Sequence, residues 1–147
     1  MNAKAILAIA MVAAMTTGCV SVPMASADKD AAAKTFAVEA GKANIYVYRN
    51  ETMGAAIKMP VALDGKLVGD TASKTYILLN VAPGAHTLVS KTENDSSLQI
   101  TADVGKNYFV WQEVKMGAFA ARSALQQVDE ATGKAAVAEC KLIDEVK

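Results

Sequence analysis

The stretch from Tyr76 to Lys91 constrains the fold more than any other part of the sequence. At its centre is Pro83-Gly84. Proline presets the backbone angle of the second residue in a tight turn, and glycine accepts the positive angle of the third. Apolar side chains crowd both sides of this corner, as expected of strands that enter a core. The stretch therefore predicts a hairpin of two buried strands, with Ala82 to Ala85 as its corner.

Other short segments also have the composition of strands separated by turns. Ala43 to Arg49 is rich in β-branched and aromatic residues, and Asp64-Gly65 between two apolar runs is a hairpin signal of the I′ type. Leu98 to Val104 alternates apolar and polar residues, which is typical of a strand with one face in water. The remaining predicted elements are strands at Asn107 to Gln112 and Ser123 to Val128, and a helix at Asp129 to Leu142.

Together these segments predict a mainly β fold, a single antiparallel β-sandwich of about seven strands with an N-terminal signal helix and a C-terminal helix. A parallel α/β architecture is disfavoured, because no long helical segments alternate with the strands.

Residues 1–18 have the layout of a bacterial export signal. Lys4 precedes the uncharged run Ala5 to Met15, which is shorter than the roughly 20 apolar residues that span a bilayer. Two cleavage sites compete. Gly18-Cys19 is similar to the lipobox of bacterial lipoproteins, in which the cysteine is acylated and becomes the new N-terminus. Ala25-Ser26-Ala27 instead fits the A-x-A pattern of ordinary secretory cleavage, which would release a soluble periplasmic or secreted protein.

The lipobox divides the chain into three predicted parts: a signal peptide at 1–18, the acylated Cys19 with a flexible tether at 19–42, and a β-sandwich domain with its C-terminal helix at 43–147. The resemblance to lipoproteins implies that Val20, since it is not aspartate, favours sorting to the outer membrane. The domain would then face the periplasm, with its lipid anchor in the membrane.

Charge and cysteine content limit the classes of partner and of chemistry that are expected. The chain has 15 basic and 15 acidic residues, so no electrostatic surface for nucleic acid is predicted. Its two cysteines are Cys19 and Cys140, and acylation of the first leaves the second alone. We interpret Cys140 as a buried, inert thiol, with a redox or nucleophilic role as the open alternative.

The sequence predicts no catalytic set, no metal site and no cofactor. His86 is the only histidine in the sequence, which excludes a metal site with a pair of histidine ligands. The aspartate and glutamate residues of the chain are scattered singly. For His86 we expect a structural or surface role, with pH sensing or ligand binding as the alternative.

The candidate interaction surface is the segment from Trp111 to Phe119, where Trp111, Met116 and Phe119 surround a bend that contains a glycine. Aromatic residues and methionine are enriched at the centres of interfaces. The alternative is that Trp111 and Phe119 complete the core while Met116 fills a gap.

Four motifs occur in a fixed order: I-Y-V-Y-R at Ile45 to Arg49, V-A-L-D-G-K-L-V-G at Val61 to Gly69, Y-I-L-L-N-V-A-P-G-A-H-T-L at Tyr76 to Leu88, and G-K-N-Y-F-V at Gly105 to Val110. This succession resembles the bacterial lipoprotein family numbered 2846 in the domain-of-unknown-function series. The resemblance implies a membrane-tethered β-sandwich and supplies no activity. We therefore expect a non-enzymatic envelope lipoprotein that binds another protein or has a structural role. The alternative is a small-ligand binder with an apolar cleft between the sheets.

Overall fold

The computed structural model describes residues 21–144, which form nine strands and two helices. The predicted signal helix, the cleavage site at Gly18-Cys19 and the acylation site itself lie outside the described residues. The strands are β1 (Ala43–Arg49), β2 (Met59–Leu63), β3 (Lys66–Thr71), β4 (Thr75–Val81), β5 (Gly84–Lys91), β6 (Asp95–Ala102), β7 (Asn107–Lys115), β8 (Arg122–Val128) and β9 (Lys141–Leu142). The helices are α1 (Ala27–Ala33) and α2 (Glu130–Ala138).

The strands form two sheets, with the orders β8-β7-β1-β4-β9 and β3-β2-β5-β6. The prediction of a mainly β fold is confirmed, with nine strands in the described part rather than about seven. The prediction of a purely antiparallel arrangement is wrong, because β1 pairs with β7 in parallel and β4 pairs with β9 in parallel. A parallel pair needs a long connection, and here the whole second sheet lies between β1 and β7 in the chain.

Both sheets contribute to one hydrophobic core. Ile45 and Val110 come from the first sheet, and Val61, Leu88 and Ile100 come from the second. The predicted alternation in β6 is visible here, since Ile100 is buried while its neighbours in sequence are exposed. Burial of this apolar surface is the main force that holds the sheets together.

The Asp64-Gly65 hairpin is confirmed. Leu63 of β2 pairs with Lys66 of β3, so the turn has two residues, and both have a positive φ, 50° and 83°. A type I′ turn requires this combination, which asparagine, aspartate and glycine tolerate best.

The prediction of a hairpin at Pro83-Gly84 is wrong. β4 pairs with β1 and β9, whereas β5 pairs with β2 and β6, so the corner carries the chain from one sheet to the other. Turn chemistry fixes a local bend, and Gly84 does have a φ of 123°. The partners of the two arms are decided by pairing with strands that are distant in sequence.

The C-terminal helix is shorter than predicted. α2 begins after Asp129, whose carboxylate accepts a hydrogen bond from Thr132 N at 2.8 Å, and it ends at Ala138. The chain then returns as β9, where Lys141 pairs with Thr75 of β4. α2 covers the outer face of the first sheet, which presents Tyr46, Tyr48, Tyr76 and Phe109 to it.

The segment from Ser21 to Lys42 differs from the predicted tether, because it packs on the domain. Val22 is buried in the core shared by the two sheets. Ala25 N donates to Leu142 O at 3.0 Å, and the Tyr46 hydroxyl donates to the carbonyl of Ala33 in α1 at 2.8 Å. The described part of this segment therefore belongs to the folded unit.

Candidate functional site

A groove with a cavity volume of about 540 Å³ lies along the edge of β4. β9 pairs with β4 only at Thr75 and Tyr76, and no other strand within residues 21–144 covers the rest of this edge. Tyr76 O accepts a hydrogen bond from Ile143 N at 3.0 Å. Because backbone groups of a strand point alternately to its two sides, those of Leu78 and Asn80 face the same side as those of Tyr76 and therefore the groove.

The walls of the groove are mainly apolar. They are formed by alanines of α1 and the flanking segments, together with Ile77, Leu78, Leu142 and Ile143. At the rim, Lys29 Nζ lies 3.6 Å from Asp144 Oδ1, and both side chains are well exposed. The groove thus combines an unpaired strand edge with apolar walls and one solvent-exposed ion pair.

Asp30 fixes α1 against the sheet and so forms one wall of the groove. Its carboxylate accepts hydrogen bonds from Lys34 Nζ at 2.9 Å, from the Tyr76 hydroxyl at 2.7 Å and from Leu142 N at 3.0 Å. Burial alone would raise the pKa of Asp30, but these donors outweigh it and the pKa is lowered. The carboxylate is therefore ionised and structural, because its hydrogen-bonding capacity is used to dock the helix.

Met116 and Phe119 lie together on the loop 116–121, which connects β7 to β8. Phe119 is 98% exposed and Met116 is 84% exposed. The alternative in which Phe119 completes the core and Met116 fills a gap is therefore wrong. The reason is that the loop extends beyond the end of the sheet, where no described element covers it.

Trp111 does not share a surface with these two residues. It is half-buried and packs against the cluster beneath α2, and it lines a second cavity, of about 480 Å³, with Tyr48 and Ala136. Its indole Nε1 donates to Glu51 Oε2 at 2.9 Å, while Glu51 Oε1 accepts from Val114 N at 2.9 Å. Trp111 therefore helps to hold the loop 50–58 against β7.

Arg49 is a buried cation at the end of β1. It is fully buried, and its Nη1 donates to Ile57 O at 2.9 Å and to Thr71 O at 3.2 Å. Its Nη2 donates to Gly54 O at 3.1 Å. Among the described residues no carboxylate forms a salt bridge with it, and burial lowers its pKa. Arg49 is thus an anchor that ties the loop 50–58 to the end of β3.

Polar side chains also link the two sheets within the core. Gln112 of β7 accepts a hydrogen bond from the Thr71 hydroxyl at 2.5 Å and donates to Ser90 Oγ at 2.6 Å. Ser90 Oγ lies 2.6 Å from Ser123 Oγ. All four side chains are buried. Because each one is paired with another, these four side chains satisfy one another's polar groups inside the core.

His86 and Asp64 form an ion pair that the sequence did not reveal, since they are 22 residues apart. The His86 Nδ1 lies 2.6 Å from Asp64 Oδ2, and Nε2 lies 2.6 Å from Ala82 O. The contact to Asp64, then that to Ala82, raises the pKa of His86. Since both ring nitrogens face acceptors, the doubly protonated imidazolium fits this arrangement. The pair ties the β2–β3 turn to the corner between the sheets.

Cys140 is buried, as predicted, and burial raises the pKa of its thiol to about 12. Such a thiol is unreactive. Within residues 21–144 no group of three or more histidine, cysteine, aspartate or glutamate side chains is placed to hold a metal ion. The helices of the described part are all too short or too polar to cross a membrane.

The fold and these surfaces define a small, mainly β domain with two sheets, an apolar groove and an apolar loop. The chain belongs to the family described as "Protein of unknown function (DUF2846)", whose model matches residues 39–124. It is 34% identical over 133 residues to an uncharacterized protein of Haemophilus influenzae, a match that covers 89% of this chain and 79% of the relative. The family predicted from the four motifs is thereby confirmed.

Proposed function

We propose that the chain is an envelope lipoprotein with a non-catalytic β-sandwich domain that binds another envelope protein. Residues 1–18 are removed, Cys19 is acylated, and the lipid holds the domain at the periplasmic face of the outer membrane. The protein partner binds in the groove beside β4.

The observation that supports cleavage before Cys19, and with it acylation, is the packing of the segment before Ala27. Cleavage after Ala27 would remove Val22 from the core and the hydrogen bond from Ala25 N to Leu142 O. It would also remove Ser26, whose side chain accepts from Lys29 N at the start of α1. Cleavage before Cys19 keeps all of these contacts. The fold therefore supports the lipoprotein site over the A-x-A site.

The groove suits an extended polypeptide. An unpaired strand edge offers backbone donors and acceptors to an added strand, and neighbouring apolar pockets select its side chains. The edge at Leu78 and Asn80 has these properties, because it lies between α1 and the end of β9. An added strand would also cover the apolar walls, so that backbone pairing and burial stabilise the complex together.

A small apolar ligand is the second candidate. The volume of the groove, about 540 Å³, is within the range of ligand pockets, roughly 300 to 1,000 Å³. The groove lies beside β4 rather than between the sheets, where the alternative predicted from the sequence would place a cleft. Native mass spectrometry of the protein purified from membranes tests this candidate, and a bound small molecule would be seen as added mass.

Photo-crosslinking in intact cells tests the protein partner. We expect a photoreactive amino acid at Asn80 to give an adduct of higher mass, and the same residue at Gln99, exposed on β6, to give none. Parallel positions at Trp111, Met116 and Phe119 test the loop surface. An adduct from Phe119 without one from Asn80 would contradict the groove as the partner site. Monomer alone at every position would contradict the protein-binding function.

A further inference from the structure

One end of the domain brings together three loops. β1 and β7 run parallel and end there, at Arg49 and Lys115, and Arg49 pairs with Thr75, the first residue of β4. The loops 50–58, 72–74 and 116–121 therefore leave the same end of the first sheet. We call these three loops, with residues 92–94 between β5 and β6, the loop end.

The N-terminal segment lies beside this end. Ser21 and Val22 line a surface cavity together with Ala72 to Thr75, which includes the turn between β3 and β4. Cys19 precedes Ser21 by two residues, and two residues span at most about 7 Å. A lipid on Cys19 would therefore hold the loop end close to the bilayer, because no long tether separates them.

The loop end exposes large apolar side chains. Phe119 is 98% exposed, Met116 is 84% exposed and Met53 is 54% exposed. The segment Met116 to Ala121 has no charged residue. Single exposed apolar residues are common on proteins, but here two loops that leave parallel neighbouring strands both present them.

The loop 116–121 is held in shape rather than hanging free. Glu93 Oε2 accepts a hydrogen bond from Ala120 N at 3.3 Å and lies 3.5 Å from Arg122 Nε. Glu93 N donates to Ala121 O at 3.2 Å. At Gly117 a Cβ atom would collide with the carbonyl of Ala120 and with Glu93. These contacts turn the chain tightly and leave Phe119 directed into solvent.

We propose that the loop end is a membrane-contacting surface, with Phe119, Met116 and Met53 inserted among the lipids of the bilayer that holds the anchor. This inference rests on the acylation of Cys19 in the proposed function. The loop 116–121 begins at the end of β7, and Ser21 lies beside the start of β4. These two strands are separated only by β1 in the first sheet, so they are about 10 Å apart. Anchor and apolar tips thus reach the same bilayer without a change in the fold.

Apolar contact rather than charge would hold this surface. The charged residues of the loop end are two acids, Glu51 and Glu93, and two bases, Lys58 and Lys74, so charges of neither sign predominate there. The domain would rest on the bilayer with the β4 groove at its side. The groove then stays open to a protein partner, because it and the loop end are different surfaces.

The test uses the full chain, expressed with its signal in a bacterial host, purified in detergent and reconstituted into phosphatidylcholine vesicles. A nitrobenzoxadiazole label is attached through Ala118→Cys, which leaves Phe119 in place, or through Val104→Cys at the opposite end as the matched control. Val104 is also apolar and 57% exposed. The chain without an added cysteine measures background labelling, which should be low because Cys140 is buried. Intact mass measures acylation of each preparation.

For acylated protein we expect nitroxide-labelled lipids to quench the label at Ala118→Cys several-fold more than at Val104→Cys. Adding Met116→Ser and Phe119→Ser should remove most of that difference. Equal quenching at both positions in acylated protein would overturn the membrane surface and leave the proposed lipoprotein intact. An intact mass without acyl chains would instead refute the proposed function, and the membrane surface with it.

Discussion

Gly133 of α2 lies directly against the ring of Phe109 in β7, so closely that a Cβ atom would overlap the ring. Phe109 in turn stacks on Tyr46, with their ring centroids 5.1 Å apart. The glycine therefore sets how closely the helix approaches the sheet. This close approach explains why a glycine occurs inside α2, although intrinsic helix propensity disfavours glycine there.

We expect Gly133→Ala to destabilise the protein. Alanine favours the helix by about 1 kcal/mol, but overpacking against a buried ring costs typically 1 to 3 kcal/mol, so we predict a net loss of up to about 2 kcal/mol. Urea unfolding followed by circular dichroism measures the change. The matched control is Ala131→Gly, at an exposed position of the same helix, which should lose about 1 kcal/mol from propensity alone. An increase in stability for Gly133→Ala would contradict the packing described here.

Arg49→Lys should weaken the attachment of the loop 50–58. A lysine has the charge but cannot place donors on the carbonyls of Ile57, Thr71 and Gly54 at once, as the guanidinium does. Hydrogen bonds to charged groups are worth about 1.5 to 3 kcal/mol, so we expect a loss of about 2 kcal/mol.

Hydrogen exchange of the loop 50–58 provides the second readout for Arg49→Lys, and it should be faster in the variant. Lys115→Arg, at an exposed position near the same end of the sheet, serves as the control. Unchanged stability together with unchanged exchange would show that the loop does not depend on the guanidinium.

The His86–Asp64 pair should make stability depend on pH. The pKa of His86 is raised above 6.5 in the folded state, so its contribution is fully present below about pH 6.5 and is lost as the pH rises through the folded pKa. The pKa of Asp64 is lowered, first by the His86 ring and then by Thr87 N, so its contribution is lost as the pH falls through the folded value.

Nuclear magnetic resonance can follow the single histidine directly. We expect a pKa above 6.5 in the native chain and a lower pKa in Asp64→Asn, since asparagine tolerates the positive φ of this turn but cannot pair with an imidazolium. Unfolding free energies at several pH values should show a smaller decrease above neutrality in the variant. An identical histidine titration in both proteins would contradict the pairing.

The Cys140 thiol should be inert in the folded protein. Burial raises its pKa to about 12, and the sulfur contacts Arg49 O at 3.5 Å inside the fold. We expect no reaction with a thiol reagent at about pH 8, where an ordinary cysteine is partly ionised, and complete reaction in concentrated guanidinium. Val104→Cys is the exposed control. Rapid labelling of native Cys140 would indicate a reactive site in place of a core residue.

Local turn chemistry was predictable where two adjacent residues determine the backbone. Asp64-Gly65 specifies a type I′ turn by itself, and the hairpin formed as expected. Pro83-Gly84 also specifies a bend, yet its arms pair with different sheets. The sequence around a corner cannot distinguish a hairpin from a connection between sheets, because that choice depends on contacts with distant strands.

The candidate surfaces also divide into one that local sequence indicated and one that depends on distant contacts. Phe119 was predicted as a candidate interaction residue from its type and loop position, and its exposure is consistent with that role. The groove was missed, because its walls come from α1, β4 and β9, which are far apart in sequence. The small residues around α1 indicated a tether with a helical tendency; its docking was not predicted, because it depends on the buried Ala33 and on the contacts of Asp30 with distant residues.

The proposed function depends most directly on the acylation of Cys19. Metabolic labelling with a palmitate analogue, applied to the wild type beside Cys19→Ala, measures it. We predict a label on the wild-type protein in the membrane fraction and none on the variant. An unlabelled wild-type protein whose mature chain begins at Asp28 would contradict the account, since it would lack both the anchor and the core residue Val22.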